Sequence, residues 1–397
     1  MTTLDEPQKH IALSKALALP ATQPALAWIG ESLEHFVEEL IVLSEIAAPT
    51  FDESRRATYF AERLGHLGID QIKYDAAGNV FACLDASSRG AEQRPGLAFM
   101  AHLDTVFPSS TDVHVTRKNG RLYGPGIGDN ASGLVGLLVA VEAMRRIGVE
   151  TQRPIWVVAS TGEEGLGDLK GARAALQHLD GQIERVVAIE GALLGRVTHE
   201  AVGSLRWKVH FSGPGGHSWH DFGRASAINA AAAAITELGS ISLASDPRTT
   251  YNIGRIEGGI GVNVIAADTT MLLDMRSTDP EALSGLVKQA EALIRRAAEH
   301  EGVEVGFETV GDRPAGSIPR NHTLVETGAA VLRHLGIEPR YEAASTDANI
   351  PLSQGIPAIT VGITHGGGIH TEEEWIDIAP AVTGIRQLLL LALALTG

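Results

Sequence analysis

The sequence predicts an α/β protein: a mostly parallel sheet with helices on both faces, interrupted by an inserted ferredoxin-like unit. Three observations lead there. Short apolar, β-branched runs alternate with longer helical patterns over most of the 397 residues, the rhythm of strands joined by crossover helices. Between about residues 201 and 310 that rhythm gives way to amphipathic strands and Ala-rich helices in the order β-α-β-β-α-β. Finally, 44% of the chain is apolar, enough for large cores and too much for a disordered chain. The expected domains are therefore 1–200 together with 311–397, and 201–310.

In chain order, the clearest strands are 97–101, 155–159, 186–189 and 358–361. Between the first two, residues 131–147 carry a long apolar pattern with few breakers and read as a crossover helix. In the insert we expect strand 205–211, helix 225–238, strands 251–256 and 269–275, helix 280–300 and strand 303–309. Asp279 can cap the second of these helices, and Pro280 sits at its first position, where a missing N–H costs nothing. The apolar run 388–395 is far shorter than the roughly 20 residues of a membrane span and reads as a buried final helix.

Charge and cysteine content narrow the function classes. With 32 Lys+Arg against 48 Asp+Glu, the net charge of −16 argues against nucleic acid or an anionic membrane as partner, since phosphate binding needs a basic face. Cys83 is the only cysteine, which rules out an internal disulfide and a thiolate zinc site. Asp5, Glu6, Lys9 and His10 fall where a signal peptide would need its apolar segment, so a cytoplasmic location is expected.

The informative coincidence is chemical. The four strands run into His102-Leu103-Asp104, into Gly162-Glu163-Glu164-Gly165, into Glu190, and into a Gly-rich stretch ending at His370. Asp129 lies in Gly126-Ile127-Gly128-Asp129-Asn130, at the expected start of the crossover helix, where the helix N-terminus would favour its charge. Ligands of open α/β sheets bind beyond the carboxyl ends of the strands. Five carboxylates and two imidazoles gathered there would repel one another without cations. Asp129, Glu164 and Glu190 with one hydroxide carry four negative charges, which two divalent ions balance. Oxygen and imidazole donors without thiolate suit zinc, with cobalt or manganese as substitutes. The glycines around Glu163-Glu164 matter because neighbouring side chains on a strand point apart, and only a sharp turn lets both face one cavity.

These motifs, with Gly213-Pro214-Gly215-Gly216-His217-Ser218 and Ile369-His370-Thr371, closely resemble those of the M20 metallopeptidases, in the family's order and over about 270 residues. The resemblance implies a zinc-exopeptidase-like catalytic domain and two Zn²⁺ per chain. It implies that Asp129 bridges the ions, that His102 and Glu190 complete one, and that Glu164 and His370 complete the other. It further implies that Asp104 orients the His102 ring, that Glu163 is the general base, and that the Asp129–Asn130 peptide is cis. The insert would be a lid that pairs two chains into a homodimer, with His217 reaching the partner's active site to steady the oxyanion. Asn263 and Arg276 resemble the pair that grips a substrate carboxylate; from the residues alone, Arg276 reads rather as a strand-edge ion pair.

One position divides the family. Its peptidase T-like and carboxypeptidase G2-like members usually have Asp where this chain has Glu190, whereas the deacylases and aminoacylases usually have Glu. Ser345-Thr346-Asp347-Ala348-Asn349 and Gly355-Ile356-Pro357-Ala358 look more like the peptidase T branch. The expected substrate is accordingly a small peptide, with an N-acyl amino acid as the alternative.

Overall fold

The computed structural model describes residues 11–84 and 94–397. Asp5, Glu6, Lys9 and His10 lie outside the described residues. The chain divides into two compact units: Met1–Glu200 with Ser317–Gly397, and Ala201–Gly316.

The larger unit is built on a six-stranded sheet in the order Ile72–Tyr74, Val80–Leu84, Ile155–Ser160, Gly96–His102, Ile183–Ile189, Ala358–Val361. The last four strands are parallel to one another, and the first two form an antiparallel edge. Every residue of Gly96–His102 is buried, so both faces of this central strand are covered, as the continuous apolar run requires. The chain leaves that strand for its neighbour on one side and later returns to its neighbour on the other. The strand is thus the switch point beyond whose carboxyl end a crevice forms.

Helix Ser132–Ile147 is buried from Ser132 through Met144, and it packs with Ala381–Thr396 and the early helices Thr22–Glu31 and Leu33–Ser44 in one apolar core. The stretch Ile127–Ile147 has the length and apolarity of a membrane span, yet 94% of its most apolar window is buried inside the unit. The helix does not begin at Asp129. Asp129 (φ −121°, ψ 90°) and Asn130 (φ −133°, ψ 30°) are non-helical, so the catalytic-looking turn precedes the helix. The Asp129–Asn130 peptide is cis.

Arg56 is fully buried among these elements, and its guanidinium donates to the carbonyls of Ile46 (2.7 Å) and Leu103 (2.8 Å). Burial lowers its pKa to about 10, opposed by the nearby Asp104 carboxylate. It braces the His102–Asp104 strand end from behind.

The smaller unit has the strand order Thr249–Gly258, Asp268–Ser277, Gly203–Ser212, Glu304–Arg313, antiparallel throughout, with helices Ala227–Leu238 and Pro280–Glu301 packed on it. That is the ferredoxin-like order. Asp279 caps the second helix by accepting the Ala282 N–H at 2.7 Å. The last strand runs past residue 310: a bulge between Thr309 and Gly311 takes up Val310, and pairing continues to Arg313 opposite Ser204, so the unit closes at Gly316.

Candidate metal centre

Three parallel strands deliver His102, the Glu163-Glu164 turn and Glu190 to one edge of the sheet. His370 and Asp129 arrive by a different route. A small four-stranded sheet, in the order Gly366–Gly367, Trp375–Asp377, Arg121–Tyr123, Thr116–Lys118, carries the hairpin that contains His370. The same sheet holds the strand that leads into Gly124–Asp129, with Trp375 opposite Tyr123. The Arg121 guanidinium lies 3.6 Å from the Trp375 ring centre and pins this corner.

The resulting cluster forms two triads that share one carboxylate: His102, Asp129, Glu190 and Asp129, Glu164, His370, with the donor atoms of each group within 4.8 Å of one another. The His102 Nε2 atom is 2.9 Å from Asp129 Oδ1 and 3.6 Å from Glu190 Oε2. The His370 Nε2 atom is 3.2 Å from Asp129 Oδ2 and 3.0 Å from Glu164 Oε1. Asp129 therefore turns one oxygen to each imidazole. His102 Nδ1 donates to the Asp104 carbonyl at 3.0 Å, leaving its Nε2 lone pair for an electrophile. Glu163 is buried, and its carboxylate groups with His102 and Glu164.

Asp104 lies against the His102 ring. It holds His102 mainly through its backbone carbonyl, its own carboxylate being 3.6 Å from Nδ1. That carboxylate also accepts the N–H groups of Glu163 and Glu164, both at 3.0 Å, and the Thr50 hydroxyl at 2.9 Å. The turn it grips needs left-handed backbone at Gly162 (φ +60°) and Gly165 (φ +51°), which the flanking glycines supply.

Two side chains that the sequence reading passed over secure the other ligands. Asn130 donates to the Ile189 carbonyl (2.6 Å) and accepts from Gly191 N–H (3.0 Å), clasping the backbone on either side of Glu190. Glu374, fully buried, accepts from the N–H groups of Gly126 (3.1 Å), Gly128 (2.7 Å) and Asp129 (2.8 Å).

The electrostatics fit divalent cations. Burial pushes Glu190 up to about 7, and Asp129 and Asp347 repel its charge further. Hydrogen bonds to Asp129 and Glu164 raise His370 to about 10. Burial disfavours charge on His102, yet its bonds to Asp104, Asp129 and Glu190 outweigh that and hold it well above the usual imidazole value. Asp129 is correspondingly held low by both imidazoles against its burial. Protons on the imidazoles thus offset the carboxylates, and divalent ions compete for the same lone pairs.

In the smaller unit, the short pairing of Gly216–His217 with Val264–Ile265 sets His217 beside Asn263, whose carbonyl accepts the Ser218 N–H at 3.1 Å. His217 Nδ1 accepts the Trp219 N–H at 3.1 Å, so in the neutral ring the proton sits on Nε2, which is then a donor. Arg276 is not with them. It lies eight residues along its strand from Asp268, roughly 27 Å at about 3.4 Å per residue, and its Nε donates to Asp274 at 2.7 Å. The expected grip of Asn263 and Arg276 on one carboxylate is thus not assembled within this unit, because thirteen residues of sequence here span a turn and most of a strand.

Comparison with known proteins shows the family. The profile of peptidase family M20/M25/M40 matches residues 98–394. An uncharacterised protein of Bacillus subtilis, YqjE, is 25% identical over 88% of this chain and 95% of its own. A succinyl-diaminopimelate desuccinylase of Nitrosospira multiformis is 24% identical over 80% of this chain and 87% of its own. Among solved structures, a tripeptidase from Staphylococcus aureus is similar with a TM-score of 0.79 and 26% identity, covering 91% of this chain and 98% of that one. The aminopeptidase PepT of Bacillus cereus is similar in fold, with a TM-score of 0.78 and 22% identity over 92% of this chain and 99% of that one. The chain belongs to peptidase family M20/M25/M40 and is a metal-dependent amide hydrolase.

Proposed function

We propose that this chain is a two-zinc exopeptidase acting on small peptides. The observation that carries the reading is the pair of triads sharing Asp129, with Glu163 buried beside them. His102, Asp129 and Glu190 would hold one ion, and Asp129, Glu164 and His370 the other. Ions bound there supply electrophilic catalysis, polarising the scissile carbonyl and lowering the pKa of the attacking water toward ~7. Glu163 takes the proton of that water and returns it to the leaving amine. Asp104 keeps the turn of Glu163 and Glu164 in place through two backbone N–H bonds.

The smaller unit is proposed to pair two chains. Trp219, Phe222, Ile260 and Val262 expose apolar surface on the loops around His217 and Asn263, which supports a second copy as the partner. His217 and Asn263 of one chain would serve the active site of the other, and Arg276 is the proposed partner of the substrate carboxylate.

Peptides are favoured as substrate by the 26% identical tripeptidase neighbour. Glu190 and the desuccinylase relative favour a second reading, deacylation of N-acyl amino acids. A matched panel separates them: a tripeptide, its N-acetylated form, its C-terminal amide and an N-acyl amino acid. We expect cleavage of the free tripeptide and little of the N-acetylated form. Turnover of the N-acyl amino acid with the tripeptide untouched would assign deacylation instead.

A further inference from the structure

We propose that Glu374 is a positioning residue that fixes Asp129 against His370, and so sets the spacing of the two metal sites. The inference rests on the two-metal reading above. Glu374 Oε1 receives the N–H groups of Gly128 and Asp129 together, and Oε2 receives that of Gly126. Three donors converging on one side chain call for a group that only accepts, which a carboxylate is and a carboxamide is not. Among the described residues no Lys, Arg or His pairs with Glu374, and these backbone bonds oppose the cost of its burial. The fit is close: a Cβ on Gly128 would lie 3.0 Å from Glu374 Oε1 and 3.2 Å from the Ala192 Cβ.

The same residue is bound into the His370 hairpin. Its carbonyl accepts the Gly124 N–H at 3.0 Å, its own N–H donates to Thr371 at 3.2 Å, and Trp375 beside it pairs with Tyr123. One residue therefore joins the turn bearing His370 to the turn bearing Asp129, although these ligands are 241 residues apart in sequence. Groups that orient metal ligands from behind typically change metal affinity or activity by ~10- to 100-fold when removed.

The test uses Glu374→Gln and Glu374→Ala in the full chain, stripped of metal and titrated with Co²⁺ by calorimetry. The visible spectrum of the Co²⁺-loaded form is recorded alongside, with the melting temperature of the metal-free protein as control. We expect Glu374→Ala to bind Co²⁺ ~100-fold more weakly and Glu374→Gln ~10-fold, because a glutamine oxygen can still take two of the three N–H groups. Both loaded variants should show an altered spectrum. Wild-type affinity and spectrum in folded Glu374→Gln would overturn the proposal, even if melting fell, because a merely structural role moves stability alone. A wild-type chain that binds no Co²⁺ would overturn the two-metal reading itself, a different failure.

Discussion

Replacing Glu163 by alanine is expected to lower kcat by at least ~10²-fold while leaving both ions bound, the usual scale for losing a general base. The neighbouring change Glu164→Ala should instead release metal, since Glu164 Oε1 sits 3.0 Å from His370 Nε2 in one of the triads. The contrast is demanding because the two residues are adjacent, both buried, and held through their backbone N–H groups by the same Asp104 side chain. Both substitutions keep the backbone N–H groups that Asp104 accepts, so the turn itself should persist. Kinetics and elemental analysis of the two purified variants check the assignment. If Glu163→Ala empties the site and Glu164→Ala does not, the two roles are exchanged.

His217→Ala should cost ~10²- to 10³-fold in kcat, the range seen when one oxyanion donor is removed. The Trp219 N–H on Nδ1 directs the His217 proton to Nε2, so the ring offers a donor. If that donor serves the partner chain, mixing His217→Ala chains with Glu163→Ala chains should restore part of the activity. Each mixed dimer then has one site with an intact base and an intact donor. Confirmed mixed dimers that stay inactive would place His217 outside the partner's site.

Much of this was legible in the sequence, for a physical reason. Buried parallel strands are continuous apolar runs, so 97–101, 155–159, 186–189 and 358–361 stand out, and the polar residues that follow the first three lead into the crevice. The inserted unit was legible by its alternation and by Asp279-Pro280. What escaped was set by short elements and by burial. The strands Thr116–Lys118, Arg121–Tyr123 and Gly366–Gly367 are too brief to show a period, although Asn119-Gly120 between the first two is a turn signal that could have revealed the hairpin. Glu374 ends the run Glu372-Glu373-Glu374, which reads as solvated surface until packing shows it fully buried. Likewise the His102–Asp104 pair was legible as residues, but which atoms of Asp104 do which task depends on a three-dimensional turn.

In the proposed mechanism Asp129 joins two metal sites, and both must be filled. Chelated, metal-free protein titrated with Zn²⁺ while activity and bound metal are followed together tests it most directly. We expect no activity before addition, full activity only near two ions per chain, and loss of the second ion's affinity in Asp129→Ala. Full activity with one tightly bound ion per chain, or activity that survives removal of all metal, would contradict it.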